Sequence, residues 1–162
     1  MTDTSASGVL TAMPESANEE DFPEDGPAAR SELQLRLELV ADRNSPRQAR
    51  KHAEAIGASC GVDTDAVALC VSEAVTNVVF HAYRDQLAPG AVEVVLRPLP
   101  AGAGLEIDVI DRGQGLAPRI DSPGAGLGLP IIQALADSLI IRSDHGGTRL
   151  RMTFRPIADD GP

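Results

Sequence analysis

Tryptophan is absent from the 162 residues, and three Phe and one Tyr make up the whole aromatic complement. The apolar fraction is nevertheless 43%. That suffices for one domain with a real core, built from Val, Leu, Ile and Ala. Lysine occurs once, at Lys51, and the formal net charge is -10. Direct binding of nucleic acid needs clustered Lys and Arg to neutralise phosphate, so this balance speaks against it. The two cysteines, Cys60 and Cys70, have neither metal-binding nor redox spacing. A secretory leader pattern is missing, as is an apolar run of about 18 residues. A soluble, reduced, cytoplasmic chain with no membrane segment is the expectation.

The charge is unevenly placed. Residues 1–29 carry Asp3, Glu15, Glu19, Glu20, Asp21, Glu24 and Asp25 but no Lys or Arg, scattered among Ser, Ala, Pro and Gly. Without those seven acids the net falls from -10 to -3. A disordered acidic tail over 1–30, a folded domain over 31–157 and a short C-terminal tail over 158–162 are expected. In LQLRLELV, residues 33–40, Leu33, Leu35, Leu37 and Leu39 alternate with Gln34, Arg36 and Glu38, the period of a half-buried strand. Ser45 as an N-cap followed by Pro46 starts a helix that runs to about Ser59 and stops near Gly61. Asp63 caps a second helix that ends between Tyr83 and Asp85, and Pro89 and Gly90 punctuate the loop after it. Strands are predicted over 92–97 and 105–110, a helix over 127–137, and further strands over 139–142 and 148–155. The sum is an α+β two-layer sandwich, a mixed or antiparallel sheet covered on one face by helices.

Within the second helix, SEAVTNVVFHAY, residues 72–83, places Glu73, Asn77 and His81 four residues apart in one polar file, with Phe80 beside it. Val67, Val71, Ala74, Val75 and Val78 form the opposite, apolar side. A carboxylate one turn before a short amide can accept a proton and hold a hydrated divalent metal; an ordinary solvated helix face is the plain alternative. The second informative stretch is DRGQGLAPRIDSPGAGLGLPII, residues 111–132. Asp111 follows a strand, with Gly113 and Gly115 at D-x-G-x-G spacing, where the lack of Cβ atoms lets backbone lie against a flat ligand. Gly124, Gly126 and Gly128 then lead into a helix, whose unpaired N–H groups attract phosphate. A flexible Gly/Pro loop is the plain alternative here. No βαβ unit surrounds the glycines and no Gly-Lys-Ser/Thr follows, which argues against Rossmann and Walker-type sites.

Taken in order, E-x-x-x-N in SEAVTNVVFHAY, D-x-G-x-G in DRGQG and G-x-G-x-G in GAGLGL resemble the Bergerat-fold superfamily of ATPases and kinases, which includes gyrase B, MutL and histidine kinases. The SEAVTNVVFHAY wording and the compact size are most similar to the bacterial anti-sigma factor serine kinases, over about residues 33–155. That resemblance implies that Asn77 ligates Mg²⁺ on the ATP phosphates and that Glu73 is the catalytic base. It implies that Asp111 accepts the adenine amino proton, that Gly113 and Gly115 shape the adenine pocket, and that Gly124, Gly126, Leu127 and Gly128 close over the phosphates. Thr148, after Gly146 and Gly147, matches a Gly-Thr pair on the adenine side, and His81 fits the motif on the nucleotide side, with a structural hydrogen bond rather than catalysis as its expected role. A solvated carboxylate is a feeble base toward a serine hydroxyl, so transfer would rest on in-line positioning and metal-stabilised charge. The implied partners are a sigma factor and a small antagonist protein, phosphorylated on serine, with the chain a homodimer.

Between Gly115 and Gly124 lie eight residues, with Arg119 their only cation, a shorter lid than in many members of the family. Two other readings therefore stay open. One is a non-catalytic nucleotide-binding module that controls a partner by contact, the other a degenerate member that binds no nucleotide. Gyrase-like and MutL-like branches are not expected, since no transducer domain follows residue 155. A histidine kinase is not expected either, since no helical phosphoacceptor region precedes residue 33.

Overall fold

The computed structural model describes residues 33–83, 88–113, 128–144 and 146–158, all within a compact unit that spans Ser31–Pro162. Five strands form one sheet: β1 (Leu35–Val40), β2 (Ala91–Pro98), β3 (Leu105–Asp111), β4 (Ser138–Asp144) and β5 (Gly147–Phe154). Their spatial order is β1-β2-β3-β5-β4, and every neighbouring pair is antiparallel. Helices α1 (Ser45–Ser59), α2 (Thr64–Asn77) and α3 (Gly128–Leu135) complete the described elements of the α+β sandwich, with a π-helical turn at Val78–Ala82 and a 3₁₀ turn at Pro100–Gly102.

Alternation along the strands sorts the two faces. One cross-strand row is Leu35, Leu96, Ile107, Met152 and Leu139, and the next is Leu37, Val94, Val109, Leu150 and Ile141. Apart from Ile141, which is 37% exposed on the edge strand, these rows form one core cluster with Val67, Val71, Val75 and Val78 of the helical layer and with Ile132 of α3, so the core lies between sheet and helices. Val67, Val71 and Val75 are wholly buried, as their helical spacing predicts. The third row reads Leu39, Val92, Asp111, Thr148 and Ser143. There the inner face turns from apolar to polar, and that change locates the candidate site.

The opposite face is ionic at its centre. The Asp108 carboxylate is fully buried and accepts hydrogen bonds from Arg97 (2.7 Å) and from Arg151 (2.8 and 3.0 Å). Glu106 pairs with the same two arginines. Burial alone would raise the Asp108 carboxyl, but the hydrogen bonds and charges of Arg151 and Arg97 overcome it and hold it below its ordinary value.

Several local expectations are corrected. Strand β1 starts at Leu35, and Leu33 is 77% exposed outside it. The N-cap of α1 is Asn44, and Ser45 is the first helical residue. Asp42 supplies the missing acceptor, taking the amides of Asn44 (2.8 Å) and Ser45 (3.1 Å) in a local turn. The second helix does not continue as α-helix to Tyr83: it ends at Asn77 and passes into the π turn. Asp63 does cap α2, accepting from the amides of Asp65 and Ala66 at 3.0 Å each, a contact worth about 1 kcal/mol. Among the described residues, the run Thr64–Ala82 is long and apolar enough to cross a membrane, and half of that stretch is buried inside the fold.

Candidate functional site

A hollow of about 340 Å³, counted to its open mouth, lies where the polar row of the sheet meets the end of α2. Its polar lining is Asn77, His81, Asp111 and Thr148. Val78 and Ala82 from the π turn, Val109 and Leu150 from the sheet, and Ala74 from α2 supply apolar walls. Residues 34 positions apart, Asn77 and Asp111, thus face one space.

Each polar group is placed by a backbone device. Asp111 ends β3 opposite Thr148 of β5. Its Oδ1 accepts from the Gly113 amide at 2.9 Å, and Thr148 hydrogen-bonds it through both hydroxyl and backbone. The Thr148 hydroxyl also lies 3.3 Å from that of Ser143. Burial pushes the Asp111 carboxyl above its ordinary value, and the hydrogen bonds from Gly113 and Thr148 only partly oppose this. Gly113 sits so close to the π turn that a Cβ there would lie 2.0 Å from the Ala82 carbonyl oxygen. Gly147, with φ +129°, lies equally close to the Asp111 carbonyl, a conformation and an approach that only glycine permits.

Next to Asn77, Gly128 begins α3 against the carboxylate and amide of α2. A Cβ on Gly128 would come within 3.1 Å of Glu73 Oε2 and 3.5 Å of Asn77 Oδ1. The first turn of α3, with its positive dipole end, is therefore beside Glu73 and Asn77. Cys70, one turn before Glu73, is fully buried, and burial with the Glu73 charge pushes its thiol up to about 11, so it is no nucleophile at neutral pH.

The structure brings Glu73, Asn77, His81, Asp111, Gly113, Gly128 and Thr148 into one neighbourhood. Gly115, Gly124, Gly126 and Leu127 lie outside the described residues. Sequence reasoning missed Tyr83 and Ser143. Ser143 became visible only with the β4–β5 register. Tyr83, the single tyrosine, stood at the end of the motif, but the π turn that aims it has no sequence signal. Phe80 is 61% exposed rather than part of the hollow.

The residues fit a magnesium nucleotide. Mg²⁺ takes oxygen donors and usually keeps only one or two protein ligands beside phosphate and water. Among the described residues there is no cluster of three His, Cys, Asp or Glu, whereas the Asn77 side-chain amide, with Nδ2 at 3.4 Å and Oδ1 at 3.5 Å from a Cβ built on Gly128, stands beside the gap that Gly128 leaves.

Fold and site together define a two-layer α+β domain with a ligand pocket between the helical layer and an antiparallel sheet. The chain belongs to the histidine kinase-like ATPase domain family, which residues 39–154 match. It is 33% identical over 113 residues to the serine-protein kinase RsbW of Bacillus licheniformis, covering 61% of this chain and 71% of that protein. It is 32% identical over 95 residues to the anti-sigma F factor of Thermoanaerobacter sp. (strain X514), covering 51% of this chain and 64% of that factor's length. Among solved structures, the RsbU and RsbW domains of Rv1364c from Mycobacterium tuberculosis superpose with a TM-score of 0.57 at 30% identity, over 76% of this chain and 32% of that one.

Proposed function

We propose that this chain is a protein serine/threonine kinase that uses Mg-ATP, holds a sigma factor inactive and phosphorylates a small antagonist protein that relieves the inhibition. The observation that carries the proposal is the convergence of Asn77 from α2 and Asp111 from β3 on one hollow, with Glu73 beside Asn77 at the start of α3. The names of the similar proteins, an RsbW serine-protein kinase and anti-sigma F factors, support the choice of partner. A cytoplasmic homodimer is part of the same proposal.

In this reading Asp111 accepts a hydrogen bond from the amino group of adenine, with Thr148 and Gly113 holding its carboxylate in place. Val78, Ala82, Val109 and Leu150 exclude water from the faces of the base. Asn77 offers its amide oxygen to Mg²⁺, and His81 lies one turn further along the same wall. A Mg²⁺ ion held there by Asn77 would supply charge neutralisation for the transferring phosphates. Gly113 borders the base and Gly128 the phosphates at the start of α3; for Gly115 on the base side and Gly124, Gly126 and Leu127 on the phosphate side, the proposed roles rest on the sequence resemblance alone. Glu73 orients the serine hydroxyl and takes its proton as the oxygen–phosphorus bond forms and ADP departs with the electron pair of the bond that breaks.

Glu73→Gln tests the chemistry. The variant is expected to bind Mg-ATP within about twofold of wild type, because it removes a proton acceptor and leaves the binding groups in place. Transfer of labelled phosphate to antagonist domains is expected to fall by about 10² or more. A wild-type chain that binds ATP but transfers nothing, and still responds to its partner, would establish the non-catalytic binding module instead.

A further inference from the structure

Tyr83 stands outside the hollow, and no role in the proposed reaction rests on it. Its hydroxyl nevertheless ties two separate pieces of chain to the turn that carries it. It donates to the carbonyl of Ala91 at 2.5 Å, where β2 begins. It accepts from the amide of Arg112 at 3.1 Å, the residue between Asp111 and Gly113. Through its own backbone it continues the π turn whose Val78 and Ala82 line the hollow. The ring lies so close over Gly90 that a Cβ there would come within 2.0 Å of it, and Ala41 donates to the Gly90 carbonyl at 2.8 Å.

The geometry matters because Asp111 has two constraints on it beyond the strand ladder. Thr148 holds its carboxylate from the β5 side, and the Gly113 amide holds Oδ1 from the loop side. The loop-side contact depends on where residues 112 and 113 lie, and Gly113 is already pressed on the Ala82 carbonyl. Tyr83, the residue after Ala82, grips the amide of Arg112. Tyrosine hydroxyl and glycine close packing therefore pin the same dipeptide to the same turn from two directions.

We propose that Tyr83 is a positioning residue that sets the base selectivity of this site. It fixes Arg112 and Gly113 against the π turn and so holds the Asp111 carboxylate where a base presenting an exocyclic amine is preferred over one presenting a carbonyl. This rests on the adenine-pocket reading above and adds to it a residue that touches no ligand. Arg112 and Tyr83 are bonded at the surface, where water replaces a lost partner at small cost. Removing the hydroxyl is therefore expected to loosen the pocket without unfolding the chain.

The test uses the full-length chain with two variants, Tyr83→Phe and Gly90→Ala. The first keeps the ring and loses both hydrogen bonds. The second leaves the hydroxyl but pushes the ring from outside the hollow. Calorimetric titration with Mg-ATP and Mg-ITP, which differ in the amino and oxo groups on the purine, gives the selectivity ratio for each protein. Both variants are expected to lose roughly three- to tenfold in ATP affinity, the worth of one net hydrogen bond, with ITP affinity nearly constant, so that the ratio flattens. Hydrogen exchange of the Arg112 amide in the nucleotide-free protein gives a second readout and is expected to accelerate in both. Equal losses for ATP and ITP would reduce Tyr83 to a general structural role and overturn the proposal. So would an unchanged ratio with faster Arg112 exchange, or unchanged exchange in Tyr83→Phe. If wild type bound neither nucleotide, the adenine-pocket reading itself would fall, a result distinct from a wild-type preference that survives in the variants.

Discussion

Two carboxylates three residues apart on β3 experience opposite environments. Asp108 points to the outer face, where two guanidinium groups surround it and hold its carboxyl below the ordinary value. Asp111 points inward, where burial outweighs its hydrogen bonds and raises it. A raised folded-state value means that the folded chain binds the proton more readily than the unfolded one. The stability from that extra proton is complete at acid pH and is lost as pH rises through the folded value. Asp111→Asn keeps an acceptor for the Gly113 amide without the buried charge. The variant is thus expected to gain on wild type in urea midpoint as pH rises from about 4 to 7, while its ATP affinity drops at least tenfold if the carboxylate reads the base. An Asn variant that bound ATP as wild type does would remove Asp111 from the recognition step. Such a trade, stability surrendered to keep a charged group inside a pocket, is common where a site must stay polar.

At the scale of elements, α2, the π turn and α3 build one wall of the site. The sequence made α2 legible, because Asp63 is a strong N-cap and the valines recur at helical spacing. The spacing of Glu73, Asn77 and His81 also pointed to a shared face. The π turn was not legible: one inserted residue per turn changes no residue type, and such turns are recognised only by their hydrogen bonds. The Asn44 cap of α1 was missed for a related reason, since Asp42 competes as an acceptor from outside the helix. Gly128 sits where the first turn of α3 meets α2. Gly128→Ala adds helix propensity worth roughly 0.5–1 kcal/mol but places a methyl 3.1 Å from Glu73 Oε2. Thermal denaturation is expected to show little change or a small gain, whereas Mg-ATP affinity is expected to weaken severalfold because the gap beside Asn77 closes. A loss of fold stability above about 1 kcal/mol would show that the methyl is not accommodated by the flexible end of Glu73.

Over the whole molecule, strand periods were enough to give the layer architecture, since β1 and β5 alternate between buried and more exposed residues, whereas β2 and β3 are buried on both faces along their middle. The order β1-β2-β3-β5-β4 was not, because antiparallel neighbours are fixed by register rather than by composition. The position of the pocket followed from that register, in the row where Asp111, Thr148 and Ser143 stand side by side. The ionic cluster on the other face crosses β2, β3 and β5. Asp108→Ala takes the fully buried carboxylate from Arg97 and Arg151 and leaves Glu106 paired with both, and breaking such a buried pair typically costs about 3 kcal/mol. Urea denaturation at neutral pH is expected to show a loss of that order. Because the folded value of Asp108 is lowered, its contribution is complete above the ordinary carboxylate value and disappears on acidification below it. The gap between wild type and variant should therefore narrow in acid.

That cluster also has a bearing on how the sheet assembles. Sliding β3 by a single residue would turn Asp108 into the apolar interior and Asp111 out to solvent, with Ile107 and Val109 displaced likewise. Only one alignment of β3 gives both guanidinium groups their carboxylate and also puts a carboxylate among the site residues. The arginines thereby act as a check on strand alignment, discriminating against misthreaded chains before any nucleotide is encountered.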